Sequence, residues 1–329
     1  MPKAYLIAIL KIVISAGLMW FALKGVDIET AANKARQVEP LMLASSIFLL
    51  LFQSFLGGAR WSSVTKVIDC SLELTKAIRL FYIGAFFNQV LPGGVGGDAV
   101  RIYSSFKGGL SIRGAINSVM LERLIMVFSL VILVTVIQVT LPREFYMGQT
   151  VWLQRLFIIL FFLMLFGLWL LMLVDRLPRE ILKWRLVKGL IYLGSDVKKV
   201  FLSLKNIWLP LFLGFSAHLN LALCVYCLAV GLSLNIDFLE CVILMPPVFL
   251  IAIIPLSIGG WGIRENAMIV ALSLIDVPND SALALSVLFG LASLISSFPG
   301  GLVWLLSRER DAASRSKKVQ SELNIWGSK

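Results

Sequence analysis

Two glycine-rich strings inside otherwise apolar stretches hold the residues best placed to do chemistry. They are NQVLPGGVGGDAVR at 88–101 and IPLSIGGWGIREN at 254–266, and each carries an arginine with a carboxylate. Hydrocarbon cannot satisfy free amide and carbonyl groups, so irregular backbone at bilayer depth persists only where protein buries it or water reaches it. Two such breaks, one in each half of the chain, point to a transport site. After each glycine cluster a helix restarts and presents free N–H groups and its positive dipole end, an anion site in outline. That dipole opposes an arginine in the first turn, where Arg101 and Arg264 are expected. Something negative must compensate: Asp98, three residues before Arg101 and on the same helical face, Glu265, or a ligand phosphate gripped by guanidinium.

The same residues also fit a ligand-free arrangement, in which Asp98 caps its helix and pairs with Arg101 to lock the hairpin. Gly93, Gly94, Gly96 and Gly97 in the first break, and Gly259, Gly260 and Gly262 in the second, form the hairpin tips. Their role also fits a tight turn and close helix packing alone. Glu122-Arg123 lies at similar depth in a later span, either self-neutralising or adding a third cation. Asn88 and Gln89 complete the substrate-binding candidates, although polar residues also join membrane helices to one another; Asn117 is a further hydrogen-bond candidate. His218, the single histidine, reads as packed and hydrogen-bonded rather than as a proton relay. The four cysteines follow no metal or disulfide spacing, and Cys224 and Cys227 read as packing residues. No phosphate-binding loop or metal-ligand cluster occurs, so neither cofactor nor metal is expected.

With 59% hydrophobic and 15% charged residues and a mean hydropathy of +0.89, the chain lies outside the soluble globular range. It reads as an all-α polytopic membrane protein. The net charge of +11 is explained by basic loops on one side of a membrane, not by nucleic acid. A span needs about 20 apolar residues, and six segments qualify: 4–23, 41–59, 116–141, 151–174, 207–232 and 281–307. The run 4–23 is too long for a signal-peptide core and reads as a retained span. Segments 77–107 and 238–275 are interrupted by proline and glycine and read as re-entrant helical hairpins. With the N-terminus cytoplasmic, this topology places 21 of the 30 Lys and Arg in cytoplasmic segments, including 60–76, and 4 in outer loops. Both termini are then cytoplasmic, in a bacterial inner membrane.

The order is span, span, hairpin, span, twice over, giving a first repeat at 1–141 and an inverted second repeat at 151–307. Inverted repeats with broken helices near the midplane are a recurring plan of secondary transporters. Segment 175–206 reads as an amphipathic helix on the cytoplasmic leaflet, drawn to anionic lipid. The basic tail 308–329 reads as lacking stable structure.

The string N-x-x-L-P-G-G-x-G-G-D-A-x-R at 88–101 resembles the hallmark of the lysylphosphatidylglycerol-synthase transmembrane, flippase-like family. LERL at 121–124, the P-x-x-x-G-G-x-G-x-R-E pattern at 255–265 and the overall length are similar to that family too. SIGGWG departs from the family's more usual PxGGLG-like run but keeps Arg264 and Glu265. The resemblance implies lipid translocation, and without a soluble aminoacyltransferase domain in these residues it leaves the lipid open. The expected protein is therefore a flippase for a phospho- or prenyl-phosphate-linked lipid and not an enzyme. Two alternatives stand beside it. One is a membrane enzyme acting on a lipid-linked phosphate, with Asp98 or Glu122 as base. The other is a membrane subunit that positions a cytoplasmic glycosyl- or aminoacyltransferase, with a homo-oligomer also open.

Overall fold

The computed structural model describes residue 20 and residues 28–91, 96–140, 151–176, 185–252 and 259–326. The expected span 4–23, apart from Trp20, and the tip glycines Gly93 and Gly94 lie outside them. Eleven α-helices and no strand occur among the described residues. They are α1 (Ile28–Arg36), α2 (Pro40–Val67), α3 (Leu74–Val90), α4 (Gly96–Lys107), α5 (Ile112–Thr140), α6 (Val151–Met172), α7 (Arg185–Phe201), α8 (Leu204–Gly231), α9 (Phe238–Ala252), α10 (Ile263–Ser273) and α11 (Asn279–Trp326).

Among the described residues, five stretches are long and apolar enough to cross a membrane: α2, α5, Arg155–Met172 in α6, α8 and Asn279–Ser307 in α11. The sequence places these five within a few residues, except that α2 continues eight residues past the expected 59. Arg60 and Lys66 therefore stand on a helix and not in a loop. The basic tail is also helical, continuing α11 as far as Trp326. Between 308 and 326 the tail carries no glycine or proline, so nothing in its composition breaks the helix.

Helix ends are set by local chemistry. Asp69, Ser233 and Asp276 adopt positive φ just past α2, α8 and α10, as Gly109 does past α4. In each case the next N–H donates five residues back, as Cys70 does to Thr65, which satisfies an otherwise open carbonyl.

α2 spans about 42 Å at 1.5 Å per residue, so its two termini mark opposite ends of the bundle. At the end near Asp69, Lys199 pairs with Asp69 and Lys76 donates to the Gly108 carbonyl, which joins the start of α3 to the close of α4. At the other end the Glu39 N–H donates to the Gly231 carbonyl and Lys34 pairs with Asp280. Tyr226 meets Phe238 edge-on there, and Ile269 of α10 packs with Ala31 and Leu283. The α3–α4 pair thus starts and finishes at one end, and the α9–α10 pair at the other.

α2 makes its broadest contact with α8, while α11 packs along α3 and α5 touches α9. The largest apolar core joins α8 to α11 through Val225, Leu228, Met245, Met268, Leu272 and Leu285. α6 leaves Ile159, Phe162, Leu163, Phe166 and Trp169 exposed. An apolar mantle of this extent is what a lipid environment covers. α7 forms within the expected amphipathic segment 175–206, but Leu193, Val197 and Val200 are buried against Val64, Leu121, Ile125 and Leu168 and do not face lipid. Its apolar face is spent on neighbouring helices, because the ends of α2, α5 and α6 offer it a complementary surface.

Candidate functional site

The first break is closed from both sides. Asn88 Oδ1, at the end of α3, accepts the Gly97 N–H at 2.8 Å, so a side chain before the break caps the helix after it. A Cβ on Gly97 would collide with the Gly84 carbonyl oxygen and with Asn88, and one on Gly84 with the Arg101 stem. Glycine is required here for close approach.

Arg101, in the second turn of α4 rather than the first, is 2% exposed. Its Nη1 donates at 3.1 Å to both Asp98 Oδ1 and Glu122 Oε2. Its guanidinium lies 4.3 Å from the Trp61 ring and 4.5 Å from that of Phe81, an arrangement that stabilises a desolvated cation. Among the described residues, Nε and Nη2 find no hydrogen-bond partner. Glu122 accepts on its other oxygen from Arg60, whose Nε is at 3.0 Å. Asp98 takes both Nε and Nη2 of Arg123, at 2.8 and 3.0 Å. Three guanidinium and two carboxylate groups thus form one chain, Arg60–Glu122–Arg101–Asp98–Arg123, with one positive charge in excess.

The second break is more compact. Gly259, Gly260 and Gly262 all have positive φ, a conformation open to glycine and costly for other residues. Glu265 Oε2 accepts the Gly262 N–H at 2.5 Å, and Oε1 accepts from Arg264 Nη2 at 2.6 Å and from the Ser286 hydroxyl at 3.3 Å. Arg264 lies 4.8 Å from the Trp261 ring. Its charge is balanced by the next residue in the chain.

The two breaks meet. A Cβ on Gly259 would lie 3.0 Å from Gln89 Oε1, and Gln89, Gly259 and Gly260 border one cavity of about 250 Å³. Arg123 and Arg264 line it together with His218 and Ser293, and Met126, Leu130, Phe249 and Phe289 give it an apolar wall. Small-molecule sites run from about 300 to 1,000 Å³, so this space suits a headgroup and not a whole lipid.

Among the candidates, Gln89, Arg123, Arg264, Gly259 and Gly260 are brought together at the cavity. Arg101, Asp98, Glu122, Glu265, Asn88, Gly96, Gly97 and Gly262 stand behind it, in ion pairs, caps and close contacts. Glu122 and Arg123 do not pair with each other; they face different partners. His218 Nε2 lies 2.9 Å from the Met126 carbonyl; a carbonyl only accepts, so this nitrogen donates. Asn117 is bound to Asp196 at 2.6 Å, away from the cavity.

A model of the lysylphosphatidylglycerol synthase TM region matches residues 8–301. The chain belongs to that family. Membership and the apolar helices together make it an integral membrane protein related to lipid handling. No curated protein matches the chain.

Arg60 and Ser286 were not among the residues expected at the site. Arg60 follows an apolar run and reads as the first residue of a loop. Its signal was the absence of any helix breaker between Gly58 and Val67. Ser286 has no distinguishing local pattern.

Proposed function

We propose that this protein moves a phosphate-bearing lipid, a phospholipid or a prenyl-phosphate-linked one, between the leaflets of a membrane. The single observation that carries the reading is the cavity bordered by both breaks, with Arg123 and Arg264 on its wall and apolar side chains beside them. Taking a headgroup through hydrocarbon is expensive. A cationic recess that opens alternately to either side lowers that cost while the acyl or prenyl chain stays in lipid. In this reading α3–α4 and α9–α10 are re-entrant hairpins from opposite faces, and the chain is an inverted repeat of 1–141 and 151–307. The end bearing Lys76, Lys107, Arg113 and Lys199 faces the cytoplasm of a bacterial cell, in accord with the positive-inside rule.

Transport is favoured over bond-making chemistry because Asp98, Glu122 and Glu265 each accept from at least one guanidinium. A carboxylate so engaged is a poor general base. The clamp is assigned to Arg123 and Arg264, with Arg101 as an internal brace. The test is leaflet exchange of labelled phospholipids and prenyl phosphates in proteoliposomes. Arg123→Gln and Arg264→Gln should each slow exchange at least tenfold. Exchange at the unaltered rate in both variants would remove the clamp.

A further inference from the structure

Resting on that reading, we infer that His218 is a substrate-binding residue that selects headgroups carrying an O–H or N–H donor beside the phosphate. His218 stands near the middle of α8 and borders the cavity. It lies outside the glycine strings and the LERL string that carry the family resemblance. Its Nε2 lies 2.9 Å from the Met126 carbonyl and donates to it. In a neutral ring the other nitrogen, Nδ1, then holds a lone pair and no proton. Among the described residues Nδ1 has no hydrogen-bond partner, nor is it one of the buried atoms stranded without one. The cavity is the open space that reaches it. A second proton would set a third cation beside Arg123 and Arg264, which keeps the ring neutral.

The polar groups on this wall are not equivalent. Arg123 and Arg264 only donate, while the Gln89 amide and the Ser293 hydroxyl both donate and accept. Nδ1 of His218 only accepts, and the Met126 carbonyl fixes it in that role. Arg123 Nη1 lies 3.9 Å from Sδ of the same Met126, so guanidinium and imidazole flank one residue of α5. A phosphate held by Arg123 therefore has its ester substituent within reach of the imidazole. The free oxygens of a diester are acceptors and would meet Nδ1 lone pair to lone pair. A hydroxyl of a glycerol or sugar substituent, or an amine N–H, supplies the proton that this contact needs. A substituent of hydrocarbon alone leaves a buried acceptor unpaired, which discriminates more strongly than a lost apolar contact.

The test uses the purified full chain in uncharged detergent, with thermal unfolding followed by tryptophan fluorescence. Phosphatidylglycerol is compared with phosphatidylpropanol of the same acyl chains, which has the same charge and nearly the same size but no hydroxyl. A prenyl-phosphate-linked hexose is compared with the methyl ester of the same prenyl phosphate. In at least one pair the donor-bearing lipid should raise the midpoint at concentrations at least tenfold lower than its partner. His218→Phe should abolish that preference by weakening the donor-bearing lipid alone, whereas a merely structural role would weaken both alike. His218→Leu takes its place should the phenylalanine variant not fold. His218→Gln keeps an N–H for the Met126 carbonyl and an acceptor for the ligand, and should retain the direction of the preference. Equal potency within both pairs overturns the inference, as does the absence of any shift. A preference that survives the loss of the imidazole in His218→Phe or His218→Leu overturns it too.

The same four lipids are then followed between leaflets in proteoliposomes. Faster exchange of the donor-bearing lipid, lost in His218→Phe, supports the inference, and equal rates within both pairs overturn it while leaving transport in place. The detergent preference without exchange of any lipid removes transport and leaves His218 as a headgroup-binding residue.

Discussion

The two breaks solve the same electrostatic problem in different ways. At the first, charge is shared across three elements: Arg60 from α2, Asp98 and Arg101 from α4, and Glu122 and Arg123 from α5. At the second, Arg264 and Glu265 are adjacent in sequence, and among the described residues one hydrogen-bonding side chain, Ser286, reaches in from another helix, beside the Phe289 ring 5.7 Å from the guanidinium. The first arrangement fixes helices to one another and hands its surplus cation to the cavity through Arg123. The second secures its own turn, with a tie to α11 through Ser286, and offers Arg264 directly. Similar glycine strings therefore do not imply similar duties for the arginine that follows them.

The contrast has measurable consequences, the largest in stability. Glu122→Gln leaves two buried guanidinium groups short of a counter-charge, and breaking a buried pair typically costs about 3–5 kcal/mol. Glu265→Gln strands one, keeps an acceptor for the Gly262 amide, and should cost about half as much. Thermal unfolding in detergent reads both, and equal losses would erase the distinction between a shared network and a local pair.

Next are the glycines. Gly97→Ala forces a methyl onto the Gly84 carbonyl, and overpacking of this kind costs about 1–3 kcal/mol. Gly260→Ala finds no atom closer than 3.7 Å but must adopt φ of +79°, a strain of about 1–2 kcal/mol. The first penalty should be eased by Asn88→Ala, which removes one of the two clashing groups, and the second should not. Rescue of both, or of neither, would contradict the view that the first break is a steric fit and the second a conformational one.

Smaller in energy is the division between brace and clamp. Arg123→Gln should lower exchange tenfold or more, equivalent to ~1.4 kcal/mol or more, with little loss of melting temperature. Arg101→Gln should lower the melting temperature far more. A reversal of that order would return the clamp to Arg101.

The smallest effect concerns labelling. Cys70, beyond α2 at the end where α3–α4 opens, is half-buried. Its thiol is pushed up to about 11, first by burial and then by Asp196 and Asp69. Thiolate is the reactive form, so maleimide labelling should rise about tenfold per pH unit between 7 and 9 without a plateau. Asp196→Asn should speed it. In sealed vesicles Cys70 and an introduced Ser273→Cys should label from opposite sides; labelling from the same side would mean that the two pairs do not open oppositely.

Much of the fold is legible in sequence because span length and interruption are local properties. The five long apolar helices and both broken segments emerge from hydropathy with proline and glycine positions. The paired Asp98 and Arg101 follow from three-residue spacing on a helix. The rest depends on distant contacts. Arg60 and Glu122 stand 62 positions apart, and nothing near either signals the other. Amphipathicity marks the buried face of α7 but does not say whether lipid or protein covers it. Which arginine reaches the cavity is set by the rotation of α4 and α5 about their axes, and residue spacing leaves that rotation free.

The guanidinium of Arg101, sandwiched between Trp61 and Phe81 and tied to Glu122 and Asp98, also has a mechanical consequence. Sliding α4 by even one turn would tear two salt links, Arg101–Glu122 and Asp98–Arg123, in a medium with little water to replace them. Helices α2, α4 and α5 are therefore keyed together and must travel as a block. Among the described residues no hydrogen bond or ion pair joins Gln89 to the turn at Gly259–Gly262, so the seam where the two breaks touch is where the molecule can part most cheaply.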